Sequence, residues 1–282
     1  MNHKIINYAP TGTQTTRENS LAPLSYSEIV EDVHEAYEVG ITVVHVHARD
    51  ENLNNTYRRD IYQKIIEGIK KNCPNLSVCF SLTGRNFPEF EQRSECLDLY
   101  PDMGSLTMSS LNFTSKESIN SPDTIIKLIE KMKKYGVIPE IECFDSGMLN
   151  YTKYLIQKGI LEPPYYINVV FGNIANAQVI PTSVSDVLNH IPEGVKACFG
   201  GIGKQQLFAN ILGFMYADGI RIGLEDNLYF RDKEKAKNID LLKRSHNLMN
   251  EMGFKLLSHM EFQNLGYANK IFNNTGIQRS DT

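Results

Sequence analysis

Residues 41–81 read ITVVHVHARDENLNNTYRRDIYQKIIEGIKKNCPNLSVCFS. A β-rich run (Ile41 to His47), an amphipathic helical stretch (Tyr57 to Asn72) and a second β-rich run (Leu76 to Ser81) follow one another. Outward from this unit the alternation hardly breaks. The further candidate strands are Ile5 to Ala9, Gly104 to Met108, Val137 to Cys143, Tyr166 to Phe171, Val195 to Phe199 and Gly219 to Leu224. Helical patterns lie near Tyr26 to Val39, Pro88 to Leu99, Pro122 to Tyr135, Gly147 to Lys158, Thr182 to His190, Lys204 to Ala217 and Asp232 to Met252. Start and stop signals agree with them. Ser25 with Glu28 reads as a capping box, Ser121 before Pro122 as an N-cap, and Gly40, Gly136 and Gly253 as C-terminal stops. Eight strand–helix units in one series predict an α/β fold, the (β/α)8 TIM barrel of about 250 residues; a doubly wound open sheet is the runner-up.

The chain has 282 residues, no Trp, and 41% hydrophobic residues. No linker divides it, so residues 1–282 are expected to form one barrel domain, with 254–282 as a C-terminal extension whose last, polar part is a tail or an arm on a neighbouring subunit. With 29 Lys plus Arg against 33 Asp plus Glu, the net charge is −4 and both signs are scattered. A broad basic surface for nucleic acid or an anionic membrane is therefore not expected. No window approaches the roughly 20 apolar residues of a membrane span, and the N-terminus lacks the order of a signal peptide. The five cysteines, without a CxxC, read as buried thiols in a reducing compartment, which points to the cytoplasm.

Active sites of such barrels form at the C-terminal strand ends, so those ends are searched for chemistry. They carry Thr11 to Gln14; His45 and His47; Ser81, Thr83, Gly84 and Arg85; Ser105 and Thr107; Glu140 and Glu142; Asn173; Gly200 and Gly201; and Arg221, Glu225 and Asp226. In VVHVHARD, His45 and His47 share one face of a strand, about 6.6 Å apart along it, and can converge on one Zn²⁺ given a third ligand and an open position. The other histidines lie in helical segments, after the barrel or before the first strand, so a carboxylate must complete the set: Glu140, Glu142 or Glu225. Gly200, Gly201, Gly203 and Lys204 in CFGGIGK can offer backbone N–H groups to a phosphate at a helix start, or simply turn the chain tightly. The run matches neither the P-loop nor the dinucleotide fingerprint.

Taken together and in order, APTG, VVHVHARD, SLTGR, PDMGSLTMSSLNF, GVIPEIECFDSGM, ACFGGIGK and IRIGLEDNLYF resemble the β-keto acid cleavage enzymes, whose founding activity is 3-keto-5-aminohexanoate cleavage. The resemblance covers nearly the whole barrel. It implies a (β/α)8 barrel with one Zn²⁺ on His45, His47 and Glu225. It also implies condensation of a β-keto acid with acetyl-CoA and cleavage of the adduct to acetoacetate and a new acyl-CoA.

By the same resemblance Arg221 works with Asp226, which takes the α-proton, and Glu142 stands near the substrate. Gln14, Thr83, Arg85, Ser105 and Thr107 become substrate-binding candidates, and Gly200, Gly201, Gly203 and Lys204 candidates for CoA. The family implies a homo-oligomer, expected to be a tetramer. Gln14 stands where the amino-substrate branch has an acid, so 3-keto-5-aminohexanoate is expected to be poorly used. Leu82 and Arg85 also depart from that branch, which has Ser and Gly there; an arginine at the pocket rim can bind a carboxylate or a CoA phosphate. Two other readings stay open: a metal-dependent hydrolase on the same barrel, and a protein that binds zinc and CoA without turnover.

Overall fold

In the computed structural model, which describes residues 2–269 and 271, eight parallel strands close on themselves. They are β1 (His3–Tyr8), β2 (Val43–Val46), β3 (Ser77–Phe80), β4 (Met103–Thr107), β5 (Ile138–Cys143), β6 (Tyr166–Phe171), β7 (Lys196–Gly201) and β8 (Gly219–Ile222). Each pairs with its sequence neighbour, and β8 pairs with β1, which makes the TIM barrel. The register of that last pairing sets Asn7 beside Arg221.

The connecting helices are α1 (Tyr26–Val39), α2 (Arg59–Asn72), α3 (Phe90–Arg93), α4 (Pro122–Lys134), α5 (Ser146–Gln157), α6 (Pro181–His190), α7 (Gln205–Tyr216) and α8 (Asn238–Glu251). Local chemistry explains their ends. Ser25 accepts the Glu28 N–H while the Glu28 carboxylate accepts the Ser25 N–H, a complete capping box. Ser121 caps α4 with Pro122 in its first turn.

Two helices differ from the sequence reading. The stretch Pro88 to Leu99 is not one helix: α3 lasts one turn and is followed by a 3-10 segment, Glu95–Leu99. Buried Cys96, Leu97 and Leu99 suit that tighter turn, and Glu95 and Asp98 hold it by accepting hydrogen bonds from Arg59. The last barrel helix starts at Asn238 rather than near Asp232, because Tyr229–Arg231 and Glu234–Lys235 form a two-stranded turn through Lys233 at φ 60°.

The N-terminal end of the barrel is apolar. Ile5, Val43, Met103, Tyr166 and Cys198 point into it together with Phe262 and Tyr267. These two rings belong to the segment after α8, where β9 (Lys255–Leu256) extends the sheet from β1 and α9 (His259–Asn264) passes beneath the barrel. Of the polar stretch from Asn269 onward, residues 270 and 272–282 lie outside the described residues. All five cysteines are free and buried; burial pushes the Cys73 thiol up to about 11 and the other four upward too. Raised thiols are poor nucleophiles. Among the described residues no helix is long and apolar enough to cross a membrane.

Candidate active site

Above the apolar layer the barrel interior turns polar, because residues two apart on a strand share a face. Glu140, fully buried on β5, collects four donors: Asn7 Nδ2 at 2.5 Å, Asn168 Nδ2 at 2.9 Å, the Cys79 thiol at 3.0 Å and His45 Nδ1 at 2.5 Å. A carboxylate cannot donate, so His45 carries its hydrogen on Nδ1 and presents Nε2 upward. There Nε2 lies 3.3 Å from His47 Nε2 and 3.7 Å from Glu225 Oε2, while His47 Nε2 lies 3.1 Å from Glu225 Oε1. Both imidazoles are buried.

This donor set fits a small divalent cation. Two imidazole nitrogens and a carboxylate converge within 4.8 Å, and Glu225 Oε2 is buried with no hydrogen-bond partner. Such an orphan acceptor is costly unless positive charge faces it. The surroundings favour positive charge at this point: burial pulls the His45 pKa down, yet Glu140 and then Glu225 outweigh it and hold it at about 9. At His47 burial prevails over the pull of Glu225, and its pKa is lowered. Two imidazoles and one carboxylate, with an imidazole oriented by a buried acid, is the ligand chemistry of catalytic zinc.

Arg221 joins this set to the cleft above it. Only 2% of its side chain is exposed, and its three nitrogens meet three carboxylates: Nη2 with Glu225 at 2.7 Å, Nε with Asp226 at 2.9 Å, Nη1 with Glu142 at 3.1 Å. Burial alone would lower its pKa, but Asp226, Glu225 and Glu142 raise it well above the ordinary value. Glu225 is driven the other way; burial raises it, and Arg221 with the two histidines lowers it further than burial lifts it. Asp226 ends up raised, because burial and the repulsion of Glu225 and Glu142 outweigh the pull of Arg221. Two adjacent carboxylates that share one guanidinium thus differ in basicity, because the histidines also favour charge on Glu225 while Glu225 and Glu142 oppose it on Asp226.

The loops make this crowding possible. A side chain at Gly12 would place its Cβ 2.5 Å from Glu225 Cγ, so only glycine lets the loop after β1 lie against that carboxylate. Gly223, at φ 146°, would bring a Cβ within 2.0 Å of the Ala9 oxygen. Arg49, buried, clamps the same loop by donating to Gly12 O, Thr15 O and Thr15 Oγ1.

A cleft of about 590 Å³ opens over these groups. It brings together most of the residues expected from sequence. His47, Glu142, Arg221, Glu225 and Asp226 line it, as do Gln14, Thr83, Arg85, Thr107 and Gly203. Thr107 Oγ1 donates to Glu142 at 2.9 Å. His45 lies beneath the cleft. Ser105 is buried and does not line it; its Oγ accepts the Leu82 N–H at 2.9 Å. Gly200 and Gly201 are buried within β7, where a Cβ on Gly200 would press on Arg221 at 3.1 Å. Lys204 faces a separate outer depression beside Arg231 and Lys243.

Of the three glutamates weighed as third ligand, Glu225 faces both histidines, Glu140 supports His45 from below, and Glu142 belongs to Arg221. Sequence reasoning passed over Asn7, Asn168 and Arg49. The last stands inside VVHVHARD, two residues beyond His47, and its β-strand spacing is the signal that could have marked it.

Comparison with known proteins identifies the family. The beta-keto acid cleavage enzyme family model matches residues 4–265. The 3-keto-5-aminohexanoate cleavage enzyme of Fusobacterium nucleatum is 30% identical over 259 residues, 90% of this chain and 93% of that one. The 3-oxoadipate:acetyl-CoA acetyltransferase of Cupriavidus necator is 33% identical over 229 residues, 79% and 80% of the two chains. Among solved structures, the binary complex of ObcA with oxaloacetate aligns with a TM-score of 0.77 at 17% identity, covering 88% of this chain and 67% of that one. The 3-dehydroquinate dehydratase of Geobacillus kaustophilus aligns at 0.58 with 7% identity, over 89% and 91%. These two likenesses concern the fold.

Proposed function

The chain belongs to the beta-keto acid cleavage enzyme family, and from that membership we propose that its cleft joins a β-keto acid to the acetyl group of acetyl-CoA and cleaves the adduct, giving acetoacetate and a new acyl-CoA. The observation that carries this reading is the double use of Glu225, which faces both imidazoles and Arg221 while Arg221 holds Asp226 at the cleft.

The reaction sets the tasks. The keto acid R–CO–CH2–COO⁻ loses a C2 proton, C2 bonds to the acetyl carbonyl carbon, and the C–S bond breaks to release CoA thiolate. The thiolate then adds to the R–CO carbon and the C2–C3 bond breaks. The electron pair and a proton return to C2, leaving acetoacetate and R–CO–S-CoA.

Asp226 is suited to remove and return the C2 proton. Its raised pKa makes it a stronger base than an ordinary carboxylate, and Arg221 Nε fixes its Oδ2 at 2.9 Å. Arg221 stays charged throughout, so the developing anion finds fixed positive charge next to the base. Glu142 holds Arg221 with one oxygen and the Thr107 hydroxyl with the other, which orients both toward the cleft. His45, His47 and Glu225 would hold Zn²⁺, which when bound polarises carbonyl oxygens as a Lewis acid. Gln14 gives the cleft mouth an amide where a carboxylate would pair with an ammonium, so an aminated keto acid gains no ion pair there.

The test is a panel of β-keto acids incubated with zinc-loaded protein and acetyl-labelled acetyl-CoA. Label is expected in C3 and C4 of acetoacetate, with acyl-CoA formed in equal amount. Consumption of the keto acid at the same rate without acetyl-CoA would overturn the proposal in favour of hydrolysis. Full turnover after removal of zinc would overturn the metal role.

A further inference from the structure

The cleft contains two guanidinium groups in opposite situations. Arg221 is neutralised by three carboxylates. Arg85, which lines the same cleft, makes no ion pair within 4 Å among the described residues, and its Nε is buried with no hydrogen-bond partner.

Arg85 is nevertheless held firmly. Its Nη1 donates to Thr13 Oγ1 at 2.8 Å, and its guanidinium carbon lies 3.4 Å from the centroid of the Phe113 ring. Phe113 is in turn set edge-on against Phe144, 5.8 Å away. The loop that carries Arg85 has little room to shift, since a Cβ on Gly84 would come within 2.2 Å of the Ile119 oxygen. With one face covered by an aromatic ring, the edge of the fork is left for a planar anion. Thr13, Gln14, Thr83 and Thr114 add hydroxyls and an amide to the same lining, while Glu225, Glu142 and Asp226 act on Arg85 only from a distance, without an ion pair.

We propose that Arg85 binds a second carboxylate, at the far end of the keto acid side chain, so that the preferred substrates are β-keto dicarboxylic acids. The proposal rests on the cleavage reading above for which end of the substrate reacts. A β-keto acid places its first carboxylate one carbon from the reacting ketone, and that end belongs with Arg221, Asp226 and the two histidines. Arg85 is tied through Thr13 to the loop that lies against Glu225, so it stands within reach of a short side chain. The phosphates of CoA, by contrast, lie a full pantetheine arm from the thioester that must enter the site.

The decisive measurement is the ratio of kcat/KM for the six-carbon β-keto diacid to that for the six-carbon β-keto monoacid. A charge-assisted bidentate pair predicts a ratio on the order of 10- to 100-fold in the wild-type protein. Arg85→Gln is expected to bring the ratio near one, and Arg85→Lys to an intermediate value, since lysine keeps the charge and loses the fork. An equal loss on both acids, leaving the ratio unmoved, would mean that Arg85 serves the first carboxylate and would overturn the proposal. A change confined to the KM for acetyl-CoA would assign it to a phosphate and overturn it too. Should no keto acid be turned over, the cleavage reading fails, and calorimetry still decides Arg85. Binding of pentanedioate in preference to pentanoate, lost in Arg85→Gln, supports a carboxylate receptor. Equal binding of the two refutes it.

Discussion

At the lower end of the barrel the inward side chains of β1, β2, β4, β6 and β7 meet two aromatic rings, with Phe262 and Tyr267 stacked at 4.4 Å and no charge between them. At the upper end β2, β5 and β8, with the loops that follow β2 and β8, assemble two histidines, four carboxylates and a fully buried arginine. The strands have one geometry throughout, so the contrast comes from side chains alone. The lower end gains stability from apolar burial, whereas the upper end keeps charges out of water and recovers the cost only through pairing. Substitutions at the two ends should therefore separate stability from chemistry.

The largest effect is expected at the upper end. His47→Ala removes one of three donors, so zinc content by elemental analysis should fall from one per chain toward none, and turnover should drop by roughly a thousandfold or more. Its metal-free thermal midpoint should stay close to that of the metal-free wild type, because Glu225 keeps Arg221 as partner. Retained zinc with normal turnover would remove His47 from the ligand set.

Phe262→Ala probes the other end. The ring is fully buried and packs on both Tyr166 and Tyr267, so its loss should cost about 3–5 kcal/mol in urea unfolding. Zinc content and kcat should be unchanged below the unfolding range. A kcat that falls in step with stability would show that the two ends are coupled, and the contrast would be one of composition only.

Much of this was legible in the sequence, for reasons that differ by residue. The strands announced themselves by short β-rich runs, and α1 and α4 by caps that the structure contains. His45 and His47 were legible because two residues of one strand must share a face. The choice among Glu140, Glu142 and Glu225 was not, since it depends on depth in the barrel and on the closure of β8 against β1. That closure brings Glu225 to His47 across 178 positions of chain. Family resemblance selected Glu225 where local pattern had left three candidates. Arg85 drew attention as a departure, but its lack of an acid partner is a fact of three dimensions. The packing of Phe262 under the barrel had no local signal, because a six-residue helix after the eighth unit shows no periodicity that points to a partner.

The smallest effect belongs to a charge at the upper rim but outside the cleft, where Arg17 Nη2 meets Glu28 at 2.7 Å. Glu28 also accepts the N–H groups of Leu24 and Ser25. Partial burial raises its pKa, but Arg17 and these N–H donors outweigh it and hold the carboxyl at about 2. A carboxyl depressed in the folded state adds stability in full above its unfolded value near 4.5 and loses it as pH falls toward 2. Glu28→Gln keeps an oxygen for the capping box and gives up the ion pair, which at this exposure is worth at most about 1 kcal/mol. The thermal midpoint of the variant should lie slightly below wild type at pH 7, and the two should converge between pH 4.5 and pH 2. Kinetics at pH 7 should not change. A constant gap down to pH 2 would show that the Glu28 carboxylate is not the titrating group. A kinetic change would show that charge at this end of the barrel acts on the cleft even when it lies outside the Arg221 cluster.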